Sequence, residues 1–382
     1  MPSCQICEQL LGESIYRSPN DISVTSLCEI QPKGIDVWFC TRCGHLQTEA
    51  MANLRDYYDK DYKILIASED EDQLYGMVNG RKVFRTEHQV KTLLGLVPLA
   101  AGARILDYGC GKSSTLRHLC SQRPDLVPHA FDVSDMYVPF WEKFLPTENW
   151  ATHETKPEWT GSFDLITSFF ALEHVADPRA FVRSAAGLLK PGGHFYCIVP
   201  NAYANTADLV VADHVNHFSA ASLRVLLALE GMEVLLADDR AHASAWVVLA
   251  RKGQTTLIFP DAPEIEMLEK QARDMAGYWS DFGSRVRQFE CSHPSGRAAI
   301  YGSGFYGTFI ATCLEDIGRV ECFMDQNPHR QCQLLMGRPI LAPECLSKTI
   351  ELVYAGLNPS LAREILKGVC VEWNRRVEVF YP

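Results

Sequence analysis

The sequence predicts an α/β protein built on an open, mostly parallel sheet that carries helices on both faces. Short apolar runs alternate with segments of helical periodicity between residues 104 and 252, as expected for strands and crossover helices. The run "RILDYGCG" ends in a glycine-containing turn, and the next run, "HAFDVSD", ends in acidic residues. Open α/β sheets bind small molecules at the carboxyl ends of their strands, so these two turns predict a ligand site.

Length and charge set the expected number of domains and exclude some classes of partner. A chain of 382 residues exceeds one ordinary core, and we expect a module over 1–56, a central domain over 57–253 and a third domain over 254–382. The net charge of -11 argues against a nucleic-acid surface but permits a small polyanionic ligand. Without a signal peptide or an apolar run of about 18 residues, we expect a cytoplasmic protein with no membrane partner.

Four cysteines near the start of the chain have the spacing of a metal site. Two C-x2-C pairs, "CQIC" and "CTRC", can turn four thiolates toward one tetrahedral Zn ion, and their members are Cys4, Cys7, Cys40 and Cys43. We expect a structural rather than a catalytic metal, because a module this small cannot build a core alone. Cys28 and His45 could replace one ligand, and four unrelated apolar cysteines or a redox pair are the alternative interpretations.

The turns after the first two apolar runs carry the residues expected to hold a nucleotide-like cofactor. Asp107, Gly109 and Gly111 form the first turn, and Asp132 stands where it could accept hydrogen bonds from ribose hydroxyls. NAD and S-adenosylmethionine are both candidates. The pattern D-x-G-C-G lacks the third glycine with which a helix N-terminus holds a pyrophosphate, so the spacing favours S-adenosylmethionine, which has no phosphates.

A second glycine pattern lies in the expected third domain. After a long segment of helical periodicity, Gly302, Gly304 and Gly307 follow an apolar run in G-x-G-x-x-G order, and the next run ends at Asp325. This spacing alone predicts a second nucleotide-binding half, for which NAD is the specific hypothesis.

Several motifs of the central domain resemble those of class I S-adenosylmethionine-dependent methyltransferases. They are "LDYGCG", Asp132, "FDLITSFFALEHVADP" and "LLKPGGHFYCIVPN", and the resemblance covers about Arg81 to Lys252. It implies a seven-stranded sheet, with the first turn around the amino acid and sulfonium of the cofactor and Asp132 on its ribose. It also implies that Phe169 and Phe170 lie near the cofactor, although both could simply pack. Glu173 and His174 could likewise only close a turn.

The third domain extends the resemblance to nearly the whole chain. The segments "DQNPHRQ", "GRPIL" and "ELVYAGLNP" resemble the C-terminal domain of sugar C-methyltransferases of deoxysugar biosynthesis, which also carry a four-cysteine zinc module and a Rossmann-like tail. The resemblance implies C-methylation of a nucleotide-diphosphate-linked keto-deoxysugar, with a tail that shapes the sugar-nucleotide pocket rather than binding NAD. The zinc would take no part in methyl transfer. The loop "GSGFYG" departs from the family pattern.

Two alternatives to this function remain open. One is an O- or N-methyltransferase that acts on a sugar or a related small molecule with the same scaffold. The other is a non-catalytic sugar-nucleotide binding protein. The nucleotide base, the methylated carbon, the stereochemistry and the oligomeric state do not follow from the sequence.

The stretch "ADHVNHFS" is the candidate catalytic segment. C-methylation next to a ketone needs a base, and His214, with an intrinsic pKa near 6.5, matches the base position of the resembled family. Asp213 could stabilise the imidazolium or orient a hydroxyl, and His217 has a supporting role at most. A helix cap at Ser219 preceded by structural histidines is the alternative, and a Zn site of His214 with His217 lacks a third ligand.

Tyrosines in "DYYDKDYKI" are the second candidate source of catalytic groups. By resemblance, Tyr62 matches the residue beside cofactor and substrate, where its phenol could bond the enolate or the cofactor. Tyr57 and Tyr58 are expected to pack at the domain junction.

Overall fold

The computed structural model describes residues 2–52, 54–78, 80–373 and 377–382, and these divide into two compact units. The first unit contains residues 1–15, 36–208 and 213–272, and the second contains 16–35, 209–212 and 273–382. This division differs from the three expected domains. Residues 16–35 and 209–212, which were expected in the first and central domains, belong to the second unit. Within the second unit, Val24 and Val211 form a β-bridge, and Ala212 N donates to Val24 O at 2.9 Å.

The first unit is built on a seven-stranded sheet, as predicted. Its strands are β1 (Arg104–Tyr108), β2 (Val127–Asp132), β3 (Trp150–Thr152), β4 (Phe163–Phe169), β5 (Leu189–Pro200), β6 (Met232–Asp238) and β7 (Ala245–Lys252). They lie in the order β3-β2-β1-β4-β5-β7-β6, with β7 antiparallel to both neighbours and all other pairs parallel. The strand order reverses between β1 and β4, which places the expected ligand crevice at the carboxyl ends of these two strands.

Helices cover both faces of this sheet because its strands are apolar on both faces. The helices of the unit include α1 (Arg85–Leu96), α2 (Ser114–Gln122), α3 (Pro178–Leu188) and α4 (Ala220–Leu229). Ile105 and Leu165 pack with Val90 of α1 and Leu116 of α2, whereas Leu106 and Ile166, the next residues along each strand, pack with residues of α3 and α4. Because alternate residues of each strand are buried on opposite faces, the helices cover both sides of the central parallel sheet.

The cysteine-containing segment is joined to the same unit by a small antiparallel sheet. Strand Asp36–Phe39 leads into the second cysteine pair, and strand Leu46–Thr48 leads away from it and pairs with the first strand. On its other side Leu46–Thr48 pairs with Asn216–His217, which belong to the segment "ADHVNHFS". The expected zinc module therefore shares a sheet with the candidate catalytic segment.

The second unit has the Rossmann-like sheet that the glycine pattern predicts. Its strands are β8 (Ala298–Tyr301), β9 (Val320–Met324), β10 (Leu334–Leu335), β11 (Arg338–Leu341), β12 (Leu352–Ala355) and β13 (Glu378–Phe380), in the order β10-β11-β9-β8-β12-β13. Only the β10–β11 pair is antiparallel among these. Helix α5 (Ala262–Cys291) enters the unit, and α6 (Phe305–Cys313) and α7 (Pro359–Glu372) follow β8 and β12.

The glycine loop of the second unit is filled by its own side chains. The carboxylate of Asp325 accepts hydrogen bonds from Ser303 N at 3.1 Å and from Ser303 Oγ at 2.5 Å. The guanidinium of Arg330 donates to Ser303 O at 2.6 Å. Asp325, the acidic residue at the position that binds a ribose in an NAD site, therefore already accepts hydrogen bonds from the loop, although a carboxylate retains further lone pairs.

No helix in the described ranges is both long enough and apolar enough to cross a bilayer.

Candidate active site

The predicted cofactor loop lies at the carboxyl end of β1 and is braced by Asp107. Gly109 and Gly111 have positive φ values of 73° and 49°, a conformation that glycine adopts without strain. The Asp107 carboxylate accepts from Ser113 Oγ at 2.9 Å and from Thr167 Oγ1 at 3.2 Å, so it ties the loop to β4. Burial raises the pKa of Asp107 to about 7, against the opposing effect of these two hydroxyls.

Asp132, at the end of β2, faces the same loop. Its Oδ2 accepts from Gly111 N at 2.7 Å and its Oδ1 from Ser134 N at 3.2 Å. Each carboxylate oxygen has two lone pairs, so both retain capacity for a ribose hydroxyl. Burial raises the pKa of Asp132 to about 6, although the backbone N–H groups oppose the shift. This donor set fits a ribose-bearing cofactor such as S-adenosylmethionine.

An acidic segment over residues 67–72 is bonded to residues of the cofactor loop and of α2. It was not predicted from the sequence. The ammonium of Lys112, next to Gly111, donates to the carbonyl oxygens of Ser68 at 2.9 Å and Glu71 at 2.8 Å. Arg117 of α2 forms an ion pair with Glu69 at 2.5 Å. The basic residues Lys112 and Arg117, which follow the glycine loop, were the sequence signal for an acidic segment at this place.

His214 forms a carboxylate–imidazole pair with Asp208, a residue that the sequence analysis missed. His214 Nδ1 lies 2.6 Å from Asp208 Oδ1, and His217 Nδ1 lies 3.0 Å from Asp208 Oδ2. Because a carboxylate only accepts, both imidazoles present Nδ1–H to it, which leaves His214 Nε2 as the nitrogen that exchanges a proton. Asp208 stands six residues before His214, and no regular pattern in the sequence between them predicts that the two side chains are in contact.

The electrostatics of this pair correct the expected protonation of His214. Burial acts to lower the pKa of His214, but the Asp208 carboxylate beside it raises the pKa to about 9. For the same reason the pKa of Asp208 is held well below its usual range, although burial opposes this. The intrinsic pKa near 6.5 used for His214 in the sequence is that of an isolated imidazole, and it takes no account of the neighbouring Asp208 carboxylate.

A second polar group joins Asp213, His174 and Tyr58. His174 Nδ1 lies 3.0 Å from Asp213 O and 2.5 Å from the Tyr58 hydroxyl, which donates to Asp213 Oδ2 at 3.2 Å. Burial raises the pKa of Tyr58 well above its usual value, so this phenol stays protonated. Tyr58 was expected to pack at the domain junction, and closing a turn was one interpretation of His174. Both residues contribute polar atoms to the cluster, and His174 also ends the 3-10 turn Leu172–His174.

Tyr62 lies beside this group. Its ring is 5.6 Å from the ring of His174 and 4.9 Å from that of Tyr58. The ring of His174 is in turn 4.8 Å from that of His214, in an edge-on arrangement. The structure therefore brings together Tyr62, Asp213 and His214, the three predicted catalytic residues.

Glu173 completes the cluster. Glu173, His174 and His214 are buried, and each offers one ligand atom within 4.8 Å of the others, a spacing that a metal ion could also use. Burial raises the pKa of Glu173 to about 8 and lowers that of His174 to about 4. Glu173 Oε2 has no hydrogen-bond partner among the described residues. The cluster thus holds several groups that can exchange protons near neutral pH.

The antiparallel sheet connects the cysteine segment to the Asp208 pair. His217 Nε2 lies 2.8 Å from Thr48 Oγ1, and His45 Nε2 lies 3.2 Å from Asn216 Oδ1. Asn216 Nδ2 also donates to Val175 O at 2.7 Å. The alternative interpretation of Ser219 is correct as well, because its hydroxyl caps α4 in a capping box with Ser222. The segment therefore serves as both a helix cap and a polar cluster.

Phe169 is the last residue of β4 and Phe170 follows it, and the two rings contact different residues. The ring of Phe169 contacts that of Tyr196 at 6.0 Å. Phe170 has a φ of 53°, which is strained for a residue with a bulky side chain, and its N–H donates to Ile198 O at 2.8 Å. The recorded ring contacts of Phe170 are with Arg85 at 4.6 Å and His242 at 5.4 Å.

The four predicted zinc ligands lie together. The Sγ atoms of Cys4 and Cys43 are 3.6 Å apart, those of Cys7 and Cys40 are 3.5 Å apart, and all four lie within 4.8 Å of one another. A tetrahedral Zn site with Zn–S bonds near 2.3 Å requires sulfur separations of roughly 3.8 Å. The cluster could therefore hold Zn. Neither proposed substitute belongs to it, because Cys28 contacts Ser303 O and His45 contacts Asn216.

The chain is similar to known methyltransferases in its central part. Residues 83–237 match a family model described as a methyltransferase domain. Ubiquinone biosynthesis O-methyltransferase of Xanthomonas oryzae pv. oryzae is 38% identical over 101 residues, which is 25% of this chain and 42% of that protein. The protein of the same name in Ralstonia nicotianae is 33% identical over 144 residues, which is 35% of this chain and 60% of that protein. The chain thus spans about half the length of these relatives.

Solved structures with similar folds include a carbon methyltransferase, CurJ, and an S-adenosylmethionine-dependent methyltransferase from Mesorhizobium loti. CurJ is 15% identical, with a TM-score of 0.36 over 44% of this chain and 55% of CurJ. The M. loti protein is 18% identical, with a TM-score of 0.36 over 43% of this chain and 97% of that chain. The match of residues 83–237 and the strand order make the central part a class I S-adenosylmethionine-dependent methyltransferase domain.

Proposed function

We propose that this enzyme transfers a methyl group from S-adenosylmethionine to a carbon of a nucleotide-diphosphate-linked keto-deoxysugar, through an enolate. The buried Asp208–His214 pair carries the proposal, because carbon acids adjacent to ketones need a strong, positioned base. The nucleotide-sugar part rests on the sequence resemblance of three segments between residues 325 and 359. Oxygen acceptors remain the second candidate.

His214 acts as the base in this mechanism. Its Nε2 takes the proton from the carbon next to the ketone, and the electron pair of that C–H bond becomes the enolate. Asp208 holds Nδ1–H of His214 and stabilises the imidazolium that forms, as an orienting carboxylate does in hydrolase triads. S-adenosylmethionine, when bound, supplies an electrophilic methyl group on a sulfonium. The proton leaves the imidazolium for solvent after transfer.

The phenol of Tyr62 is the candidate to hold the enolate oxygen, because Tyr62 lies within the ring cluster beside His174. The single O–H of Tyr58 is already donated to Asp213, so Tyr58 supports the cluster instead. A donor placed where negative charge develops stabilises the transition state more than the ground state. Asp213 fixes Tyr58 and His174, which is an orienting role rather than that of a base.

The residues proposed to bind the cofactor are the loop and strand-end groups at β1, β2 and β4. The backbone of Gly109 and Gly111 allows close approach of the amino-acid end, and Asp132 accepts from the ribose hydroxyls. Asp107 supports the loop through Ser113 and Thr167, so its effect on the cofactor is indirect. Phe169 is retained as a packing neighbour of the cofactor.

We also propose one Zn ion bound by Cys4, Cys7, Cys40 and Cys43, with a structural role. A four-thiolate site leaves no open position for substrate. Elemental analysis of freshly purified protein should give close to one equivalent, and less than about half an equivalent would contradict the assignment.

O-methylation is the second candidate because the relatives that match the central part are named O-methyltransferases. The same Asp208–His214 pair could remove a hydroxyl proton instead of a carbon-bound one. The two reactions differ in the atom that receives the methyl group.

The position of the methyl group distinguishes these functions. The enzyme is incubated with methyl-¹³C S-adenosylmethionine and nucleotide-diphosphate keto-deoxysugars, and the label is located by NMR. We expect a carbon-bound methyl signal coupled to a ring carbon, which the His214→Asn variant should lose while it still binds the cofactor. A label on oxygen or nitrogen would replace the proposal with the second candidate.

A further inference from the structure

A group of side chains beside the catalytic cluster has no role in the mechanism above. Arg85 begins α1, Phe170 follows β4, and His242 lies in the loop between β6 and β7. Ala245 of β7 pairs with Pro200 at the carboxyl end of β5, so this loop lies at the same edge of the sheet as the end of β4. His242 therefore lies near the ends of β5 and β7, and Arg85 reaches the group from the start of α1, where its N–H donates to Gln73 O at 2.8 Å.

The guanidinium of Arg85 has contacts with an aromatic ring but not with a hydrogen-bond acceptor among the described residues. Its guanidinium carbon lies 4.6 Å from the centre of the Phe170 ring, and among the described residues its side chain makes no hydrogen bond or ion pair. Burial lowers the pKa of Arg85, with Asp72, Tyr62 and Glu173 acting in the opposite direction from a distance. A partly buried guanidinium without an acceptor is costly, which favours an acceptor supplied by a ligand.

His242 supplies the complementary group. It is only 5% exposed, and its Nε2 is buried without a hydrogen-bond partner. Its Nδ1 lies 3.1 Å from Ala243 O, so Nδ1 carries the hydrogen, and Nε2 of the neutral ring is an acceptor. Burial lowers the pKa of His242 to about 4, which keeps the ring neutral at cellular pH.

The loop that carries His242 is held in place from both sides. Tyr75 stacks on His88 with ring centres 3.8 Å apart, and the Tyr75 hydroxyl accepts from Ala243 N at 2.9 Å. His88 Nε2 donates to Ala241 O at 2.8 Å. The imidazole of His242 is thus positioned before any ligand arrives, with its ring 5.4 Å from that of Phe170.

From this arrangement we propose a hydroxyl-binding subsite in which Arg85 donates to, and His242 Nε2 accepts from, one hydroxyl group or two neighbouring hydroxyls of the methyl acceptor. A hydroxyl both donates and accepts, whereas a carboxylate or phosphate would bring its lone pairs against those of His242 Nε2. The ring of Phe170 offers an apolar face to the carbon skeleton that carries the hydroxyl. The identity of the acceptor rests on the proposed function, but the ligand chemistry does not.

Binding of simple probes tests the subsite independently of catalysis. With ¹⁵N-labelled histidine, the His242 Nε2 resonance should shift saturably when methyl glucopyranoside is added to the full chain. The shift should be lost in Arg85→Met, which keeps the stem over Phe170. It should persist in Arg240→Met, a matched control whose side chain is 91% exposed in the same loop. A response to acetate instead of the glucoside would identify an anion site and overturn the proposal.

Kinetics then place the hydroxyl on the acceptor. His242→Phe keeps the ring shape and removes the acceptor, so KM for the methyl acceptor should rise roughly 10- to 100-fold with little change in S-adenosylmethionine affinity. His242→Gln, which restores an acceptor oxygen, should recover part of this loss. Against an acceptor analogue that lacks one ring hydroxyl, wild type and His242→Phe should perform alike. Equal losses on every analogue would contradict the subsite, whereas absence of any keto-sugar turnover would contradict only the proposed function.

Discussion

Asp208 decides the chemistry of the candidate active site at the scale of single residues. It accepts from two imidazoles at once, and this double contact fixes which nitrogen of each ring carries the hydrogen. His214 is therefore a stronger base than an isolated histidine, but only a small fraction of it is neutral near pH 7. The rate of proton removal should consequently depend on pH well above the usual range of histidine.

The pH profile of Asp208→Asn tests this account. In wild type, kcat/KM should rise roughly tenfold per pH unit from pH 7 and level near pH 9, the pKa of His214. Without the Asp208 carboxylate, the lowering effect of burial on the pKa of His214 is opposed only by Asp213 and Glu173, so the ascending limb should move to lower pH. The rate at pH 8 should fall by roughly 10² to 10⁴, because the wrong tautomer is then accessible. Asp125→Asn, at an exposed surface pair, is the control, and an unmoved limb would contradict the role of Asp208.

We expect the buried Asp107 to lower the stability of the cofactor-free protein at alkaline pH while it supports the loop that binds the cofactor. Its folded pKa of about 7 is above the unfolded value near 3.9, so its favourable contribution is present below about pH 4 and is lost as pH rises to 7. Asp107→Asn should therefore raise the free energy of unfolding of the cofactor-free protein by about 1–4 kcal/mol at pH 8 and hardly at pH 4. S-adenosylmethionine affinity should fall roughly tenfold or more. Calorimetry at both pH values measures the two effects, and a destabilised variant at pH 8 would contradict the argument.

The strand Leu46–Thr48 is the element that joins the cysteine segment to the catalytic segment. It leaves the second cysteine pair and pairs directly with Asn216–His217, and Thr48 reaches His217, which in turn reaches Asp208. A structural zinc site can influence catalysis through such a strand without touching substrate. This refines the expectation that the zinc has no part in methyl transfer: its part would be positional.

Thr48→Val isolates this connection. The change keeps the side-chain shape and removes the hydroxyl at His217 Nε2, so kcat should fall roughly 3- to 10-fold, as expected for one buried hydrogen bond. The ascending limb of the pH profile should shift with it, and Thr48→Ser should restore both. A fall in kcat without any shift of the limb would indicate general loosening of the fold rather than positioning of the pair.

Removal of the metal should act on the same element. Treatment with a chelator, or Cys43→Ser, should increase hydrogen exchange at the amides of 46–48 and 216–217 before it affects β1 or β4, because the small sheet depends on the cysteine cluster. Mass spectrometry of peptides from these segments measures the difference. Uniform exchange across the first unit, or no change, would contradict a local structural role.

At the scale of the whole molecule, the sequence predicted the sheets well and the site only in part. The seven strands, the four-cysteine cluster and the proximity of Tyr62, Asp213 and His214, the three residues proposed to be catalytic, follow from local patterns and motif resemblance. Asp208, Tyr58 and Arg85 do not, because their roles arise from contacts between segments that are distant in the sequence. The unit boundaries differ for the same reason, since residues 16–35 join the second unit through contacts that no local pattern encodes.

The glycine loop of the second unit is bonded to its own side chains. Asp325 accepts from Ser303, and Arg330 donates to Ser303 O, so a dinucleotide would have to compete with these bonds. Isothermal titration of the full chain with NAD should therefore give no binding at micromolar concentration. Saturable binding that Asp325→Asn abolishes would show that the loop opens for a dinucleotide.

The central claim is that the Asp208-supported His214 removes a proton from carbon, and solvent exchange measures that step most directly. The enzyme is held with S-adenosylhomocysteine and the keto-sugar nucleotide in deuterated buffer, so that methyl transfer cannot follow. The account predicts that deuterium enters the carbon next to the ketone, at a rate that falls roughly 10² to 10⁴-fold in His214→Asn. Exchange that continues at the wild-type rate in that variant would contradict the account.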